Sequence, residues 1–146
     1  MAVRSGALYG GAAEADVDRL STYGEKIGLA FQIADDLLDL VGDEETVGKS
    51  LGTDLDQQKL TLPLIHLLST APAEQAARAR SLVQSSAPSR RAALARELEA
   101  SGAIAYARRR AESFAARALA DLDCLPSSKC RSLLEMLTER VVHRNA

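Results

Sequence analysis

The stretch from Asp16 to Val41 constrains this chain more than any other part of it. With Asp35 set at zero on a helical wheel, Gly28 falls near 20°, Asp39 near 40°, Gln32 near 60° and Asp36 near 100°, at roughly 100° per residue. These residues form one polar stripe. Val17, Leu20, Gly24, Ile27, Phe31, Ala34, Leu38 and Val41 recur at spacings of three and four, mostly on one flank of that stripe. Leu29, Ile33, Leu37 and Leu40 lie on its other flank. A surface helix sets its acids opposite a single apolar face, whereas a helix apolar on two flanks is buried within the fold. The pattern therefore predicts a helix from near Asp16 to Val41, stopped by Gly42, whose acids look into an internal cavity.

That arrangement is costly unless something compensates it. Asp35 and Asp39 are like charges at i,i+4 and repel. They sit in the last two turns, where the macrodipole is negative, at about 0.3–1 kcal/mol each when exposed. Burying unpaired carboxylates costs far more. A divalent cation would remove these penalties together. Oxygen ligands with no nearby His or Cys favour Mg²⁺, or Mn²⁺, over Zn²⁺. Mg²⁺ usually takes one or two carboxylates and completes its shell with water and substrate phosphates, so the acids point to a phosphate-bearing ligand.

The remaining chain reads as all-α. Strand signals, an apolar–polar alternation rich in β-branched residues, are nearly absent. A short helix is expected from Val3 to Leu8 or Tyr9, ended by Gly10-Gly11. Further helices should start near Thr61-Leu62-Pro63, run over Ala73–Ser85 behind Pro72, and run from a Ser89 cap to Ala100. Ala103–Leu122 follows, and a last helix capped by Ser127 or Ser128 reaches about Arg144. The 146 residues are expected to form a single helical domain, 1–146. A net charge of −2 gives bulk electrostatics that recruit neither nucleic acid nor an anionic membrane. Aromatics at 3%, with no Trp, leave no stacking platform for single-stranded nucleic acid. Neither a membrane span nor a signal peptide is recognisable, which makes a cytoplasmic setting the expectation. Cys124 and Cys130 lack zinc spacing and read as reduced thiols. Arg108-Arg109-Arg110 reads as a solvated surface, and His66 and His143 as packing or surface residues.

Between Gly42 and Lys59 lies a polar loop long enough to suggest function, directly after the acid helix. Its cations are Lys49 and Lys59. A diphosphate bridged by Mg²⁺ needs point positive charges of this kind. Gly48-Lys49-Ser50 is not the end of a P-loop: the first glycine of that motif would fall at Asp43, and no strand precedes it.

The run Gly28-Leu29-Ala30-Phe31-Gln32-Ile33-Ala34-Asp35-Asp36-Leu37-Leu38-Asp39 closely resembles the second aspartate-rich motif of trans-polyprenyl diphosphate synthases. Gly48-Lys49-Ser50-Leu51-Gly52-Thr53-Asp54 and Lys59-Leu60-Thr61-Leu62-Pro63-Leu64-Ile65 resemble later segments of the same family, in the same order. So do Gly6–Ala12 before the helix and Ala118–Arg144 at the end. The resemblance implies the C-terminal part of an all-α isoprenoid-synthase fold. It implies elongation of an allylic prenyl diphosphate with isopentenyl diphosphate by ionisation, condensation and proton loss. Carried over residue by residue, Asp35 would bind Mg²⁺ directly and Asp39 directly or through water, with Asp36 and Asp54 in the outer ring. Lys49 and Lys59 would hold the allylic diphosphate and help it leave. Gln32 would turn its carbonyl towards the developing carbocation, and Phe31 would line the prenyl pocket. Stabilising separating charge is the physical core of that mechanism.

The family's first aspartate-rich motif, its basic isopentenyl-diphosphate contacts and its upstream Lys-Thr pair have no counterpart in this sequence. Gln58 stands where many members have glycine. The expectation is a truncated or split synthase that lacks turnover alone and works as a homo-oligomer or with an N-terminal half. The alternative is a non-catalytic helical partner or regulatory subunit of a larger prenyl synthase. A class I terpene cyclase piece shares the metal logic, but the Lys49 loop and the Lys59–Ile65 run favour the chain-elongating family. The acid helix needs neighbours on both flanks, which predicts self-association or exposed apolar surface in the isolated chain.

Overall fold

The computed structural model describes residues 2–42 and 51–142. Among them are helices α1 (Ala2–Tyr9), α2 (Glu14–Val41), α3 (Thr53–Asp56), α4 (Leu62–Thr70), α5 (Ala73–Gln84), α6 (Arg90–Ala100), α7 (Ala103–Asp121) and α8 (Lys129–Val142), with a 3₁₀ turn at Leu122–Cys124. No strand occurs among the described residues, in accord with the all-α expectation.

Local chemistry accounts for most boundaries. α2 stops where Gly42 donates its N–H to Leu38 O at 2.8 Å. A Cβ at Gly42 would sit 2.4 Å from that carbonyl oxygen, so the turn after α2 admits no side chain. Thr61 is extended at the start of α4, and Pro63 falls in the first turn, where its missing N–H costs nothing. Ser128 caps α8 by accepting from Arg131 N–H at 3.2 Å. Ser89 precedes α6, but its hydroxyl makes no capping bond. The polar segment after Gly42 holds one helical turn, α3, that the residue pattern did not announce. The expected end of α8 near Arg144 lies outside the described residues.

The chain divides into two compact units, Met1–Ala34 with Arg110–Ala146, and Asp35–Arg109. The first has a core of Ala7, Val17, Leu20, Tyr23, Ala118 and Leu122, with Val3, Ile27 and Leu134 packed against it. Tyr23 Oη reaches Leu134 O at 3.2 Å and shares a 3.1 Å hydrogen bond with the fully buried Thr138 hydroxyl. Lys26 Nζ pairs with Asp121 at 2.6 Å on the same unit. In the second unit α4, α5 and α6 pack on one another. Pro63, Leu64, Leu67, Ala76, Ala79, Leu94 and Leu98 are its buried residues from those helices, joined by Leu37, Leu38 and Leu40 from the end of α2. No helix among the described residues is long and apolar enough to cross a membrane.

Candidate functional site

The two-flank pattern of α2 is only partly matched by burial. Ile33, Ala34, Leu37, Leu38 and Leu40 are buried, whereas Leu29, Phe31 and Val41 are exposed. Burial is concentrated at the acid end of the helix. There Asp36 is 6% exposed and Asp39 9%.

Asp39 is held by backbone. Its Oδ1 accepts from Gly52 N–H at 3.1 Å and Thr53 N–H at 3.2 Å, and its Oδ2 from Asp54 N–H at 2.9 Å. These N–H groups open α3, where a helix has donors without intrahelical partners. Gly52 occupies the N-cap with φ +88° and has no side chain to cap with. Asp39 supplies that cap from another helix, with a negative charge where the peptide dipoles favour one. A carboxylate has about four acceptor sites, so three bonds leave it little capacity for a further ligand.

Lys59 closes the arrangement. Its Nζ donates to Asp36 Oδ1 at 2.8 Å and to both carboxylate oxygens of Asp54 at 3.2 Å. Its backbone N–H also donates to Asp54 O at 2.8 Å. The bond to Asp36 raises the Lys59 pKa above the ordinary lysine value, and Asp54 adds to this. Burial raises the Asp54 carboxyl above the ordinary aspartate value, partly offset by Lys59 and reinforced by the charges of Asp36 and Asp39. A cavity of about 20 Å³, lined by Asp36, Asp39, Asp54, Lys59, Thr61 and apolar neighbours, lies among these groups. It has room for roughly one water. Within the chain itself, Asp36, Asp39 and Asp54 are met by an ammonium and backbone N–H groups and line this small cavity. The reason is tertiary: Lys59 and α3 are brought back against the end of α2.

Asp36, Asp39, Asp54 and Lys59 come together. Asp35 is half-buried on the same last turns of α2. Phe31 and Gln32 are exposed residues of α2 in the first unit. Lys49 lies outside the described residues. No group of three or more His, Cys, Asp or Glu among the described residues is gathered as a ready-made metal cage. The donor chemistry still fits Mg²⁺, which needs only one or two carboxylates from the protein.

Arg91 is a residue the pattern did not single out. Its Nε donates to the carbonyls of Asp39 at 3.2 Å and Leu40 at 3.1 Å, and its Nη2 to Gly42 O at 2.6 Å. A signal for it existed. Arg90 and Arg91 open α6, where the macrodipole disfavours cations, so both needed partners elsewhere. Arg90 finds its own in the Asp56 carboxylate and Ser85 O.

The family model for polyprenyl synthetase matches residues 1–100. The chain belongs to that family. The chain is 36% identical over 143 residues to a short chain isoprenyl diphosphate synthase of Methanothermobacter thermautotrophicus, covering 98% of itself and 44% of that protein. It is 37% identical over 127 residues to the octaprenyl diphosphate synthase of Escherichia coli, covering 86% of itself and 39% of the relative. Among solved structures, a polyprenyl synthase from Caulobacter crescentus complexed with calcium and isoprenyl diphosphate superposes with a TM-score of 0.84 at 34% identity. That match covers 98% of this chain and 44% of the other. The chain thus spans less than half the length of the curated relatives it matches.

Proposed function

We propose that this chain provides the second-acid-motif part of a Mg²⁺-dependent trans-prenyltransferase site. It would bind the diphosphate of an allylic prenyl substrate for elongation with isopentenyl diphosphate. The observation that carries the reading is the Asp36–Lys59–Asp54 cluster, fastened by Asp39, in a chain of the polyprenyl synthetase family. Asp35, Asp36 and Asp54 are the carboxylates to hold Mg²⁺, which when bound would supply Lewis-acid charge to the diphosphate oxygens. Lys59, and Lys49 with it, would supply fixed positive charge to the diphosphate as its bond to the allylic carbon breaks. Gln32 and Phe31 would serve the prenyl end. Asp39 would act through the backbone of residues 52–54. The basic contacts for isopentenyl diphosphate would come from the remaining length of a synthase, in an N-terminal half or an assembled complex.

Calorimetric titration with farnesyl diphosphate and Mg²⁺ tests this. Binding that needs Mg²⁺ and is lost in Lys59→Ala and in Asp36→Asn supports it. A folded wild-type chain that binds no diphosphate overturns it. Turnover is tested by adding isopentenyl diphosphate and following longer prenyl diphosphates by mass spectrometry. No product is expected from the chain alone, and product is expected once an N-terminal half is supplied.

A further inference from the structure

We propose that Arg91 is a positioning residue for this site, joining the carbonyl end of the acid helix to the turn that presents Asp54. The inference rests on the proposed function for its consequence in binding, and on the geometry of Asp35–Arg109 for the joint itself.

The last carbonyls of α2 have no intrahelical donors and carry the negative end of its dipole. The Arg91 guanidinium, entering from α6, donates to two of them, Asp39 and Leu40, and to the carbonyl of Gly42 just past the helix end. A cation in this place also relieves the Asp36 and Asp39 charges crowded into the same turns. The Arg91 stem runs against Gly52, where a Cβ would lie 3.1 Å from Arg91 Cδ. Gly52 in turn donates its N–H to Asp39 through both the carbonyl, at 3.0 Å, and the carboxylate. One side chain thus fastens Asp39 by its backbone and backs onto the residue that Asp39 fastens by its side chain. Asp54 stands two residues further on, its N–H on Asp39 and its carboxylate on Lys59. Arg91 therefore sets the distance between the acids of α2 and the acid of α3. The fork geometry matters: one planar group reaches three carbonyls, which a lysine ammonium on a flexible stem does less well.

The test reads amide exchange and ligand binding on the same variants. In Arg91→Met the amides of Gly52, Thr53 and Asp54 are expected to exchange at least tenfold faster than in wild type, with the helical content retained. Its affinity for Mg²⁺-diphosphate should fall about tenfold or more, and Arg91→Lys should restore part of both. Arg91→Gln, which keeps a neutral donor in place of the charged fork, should shift both readouts in the same direction by less. This keeps the test open should Arg91→Met fail to fold. Lys59→Ala should lose diphosphate binding while its 52–54 amides exchange more nearly as in wild type. Arg78→Met, which removes an ion-paired arginine of the same unit, should change neither readout. Wild-type exchange at residues 52–54 in both Arg91→Met and Arg91→Gln overturns the proposal. So does faster exchange with undiminished diphosphate affinity. Absence of diphosphate binding by the wild type overturns the proposed function and leaves the joint to be judged on exchange alone.

Discussion

Gln58 is the described non-glycine residue with positive φ, at +52°. A left-handed conformation costs a side-chain-bearing residue about 1–2 kcal/mol, and glycine returns part of that gain through its greater unfolded-state entropy. Gln58→Gly is therefore expected to raise stability by about 0.5–1 kcal/mol, read from urea unfolding. An unchanged or lower midpoint would contradict this account. Gly42 is the opposite case. Its missing side chain faces Leu38 O at 2.4 Å and Leu51 Cδ1 at 3.1 Å, so Gly42→Ala must displace the end of α2. A loss of about 1–3 kcal/mol is expected, the usual penalty of overpacking.

The elements are held by a few side chains that reach between them. α5 and α6 are tied by Arg78 Nε donating to Glu97 Oε1 at 3.1 Å. That hydrogen bond holds the Glu97 carboxyl below the ordinary glutamate value, and Gln75 contributes. A carboxyl with a depressed folded pKa contributes stability above its unfolded pKa, and loses it as pH falls through the folded value. Wild type should therefore exceed Glu97→Gln in stability at neutral pH, by a small margin for so exposed a pair, and the two should converge in acid. Denaturant midpoints measured from pH 7 down to pH 3 would check the convergence. α2 and α8 are tied within the first unit by Tyr23 and Thr138. Tyr23→Phe removes a partly buried hydroxyl and should cost about 1 kcal/mol in thermal unfolding.

At the scale of the molecule, apolar surface remains open. Leu133, Met136 and Leu137 are each more than half exposed on α8, on one face of that helix at spacings of three and four. Leu8 and Tyr9 are exposed on α1. Apolar surface gathered in this way favours association. Light scattering of the isolated chain should show mass rising with concentration, and Leu133→Glu with Leu137→Glu should reduce it. A concentration-independent monomer that does not bind a hydrophobic dye would refute this.

The helical class, most helix boundaries and the family were legible in the residues. Periodicity, caps and prolines act over a few neighbours, and the motif from Gly28 to Asp39 is contiguous. The acids and Lys59 were legible as chemistry but not as contacts. That Asp39 would cap α3, that Lys59 would pair with Asp36 and Asp54, and that Arg91 would close the end of α2 depend on residues 5 to 52 positions apart meeting in space. Sequence distance carries no information about which orphaned carbonyl or N–H a side chain will satisfy. Burial is what forces each such group to find a partner, and only the packed second unit, Asp35–Arg109, decides which partner it finds.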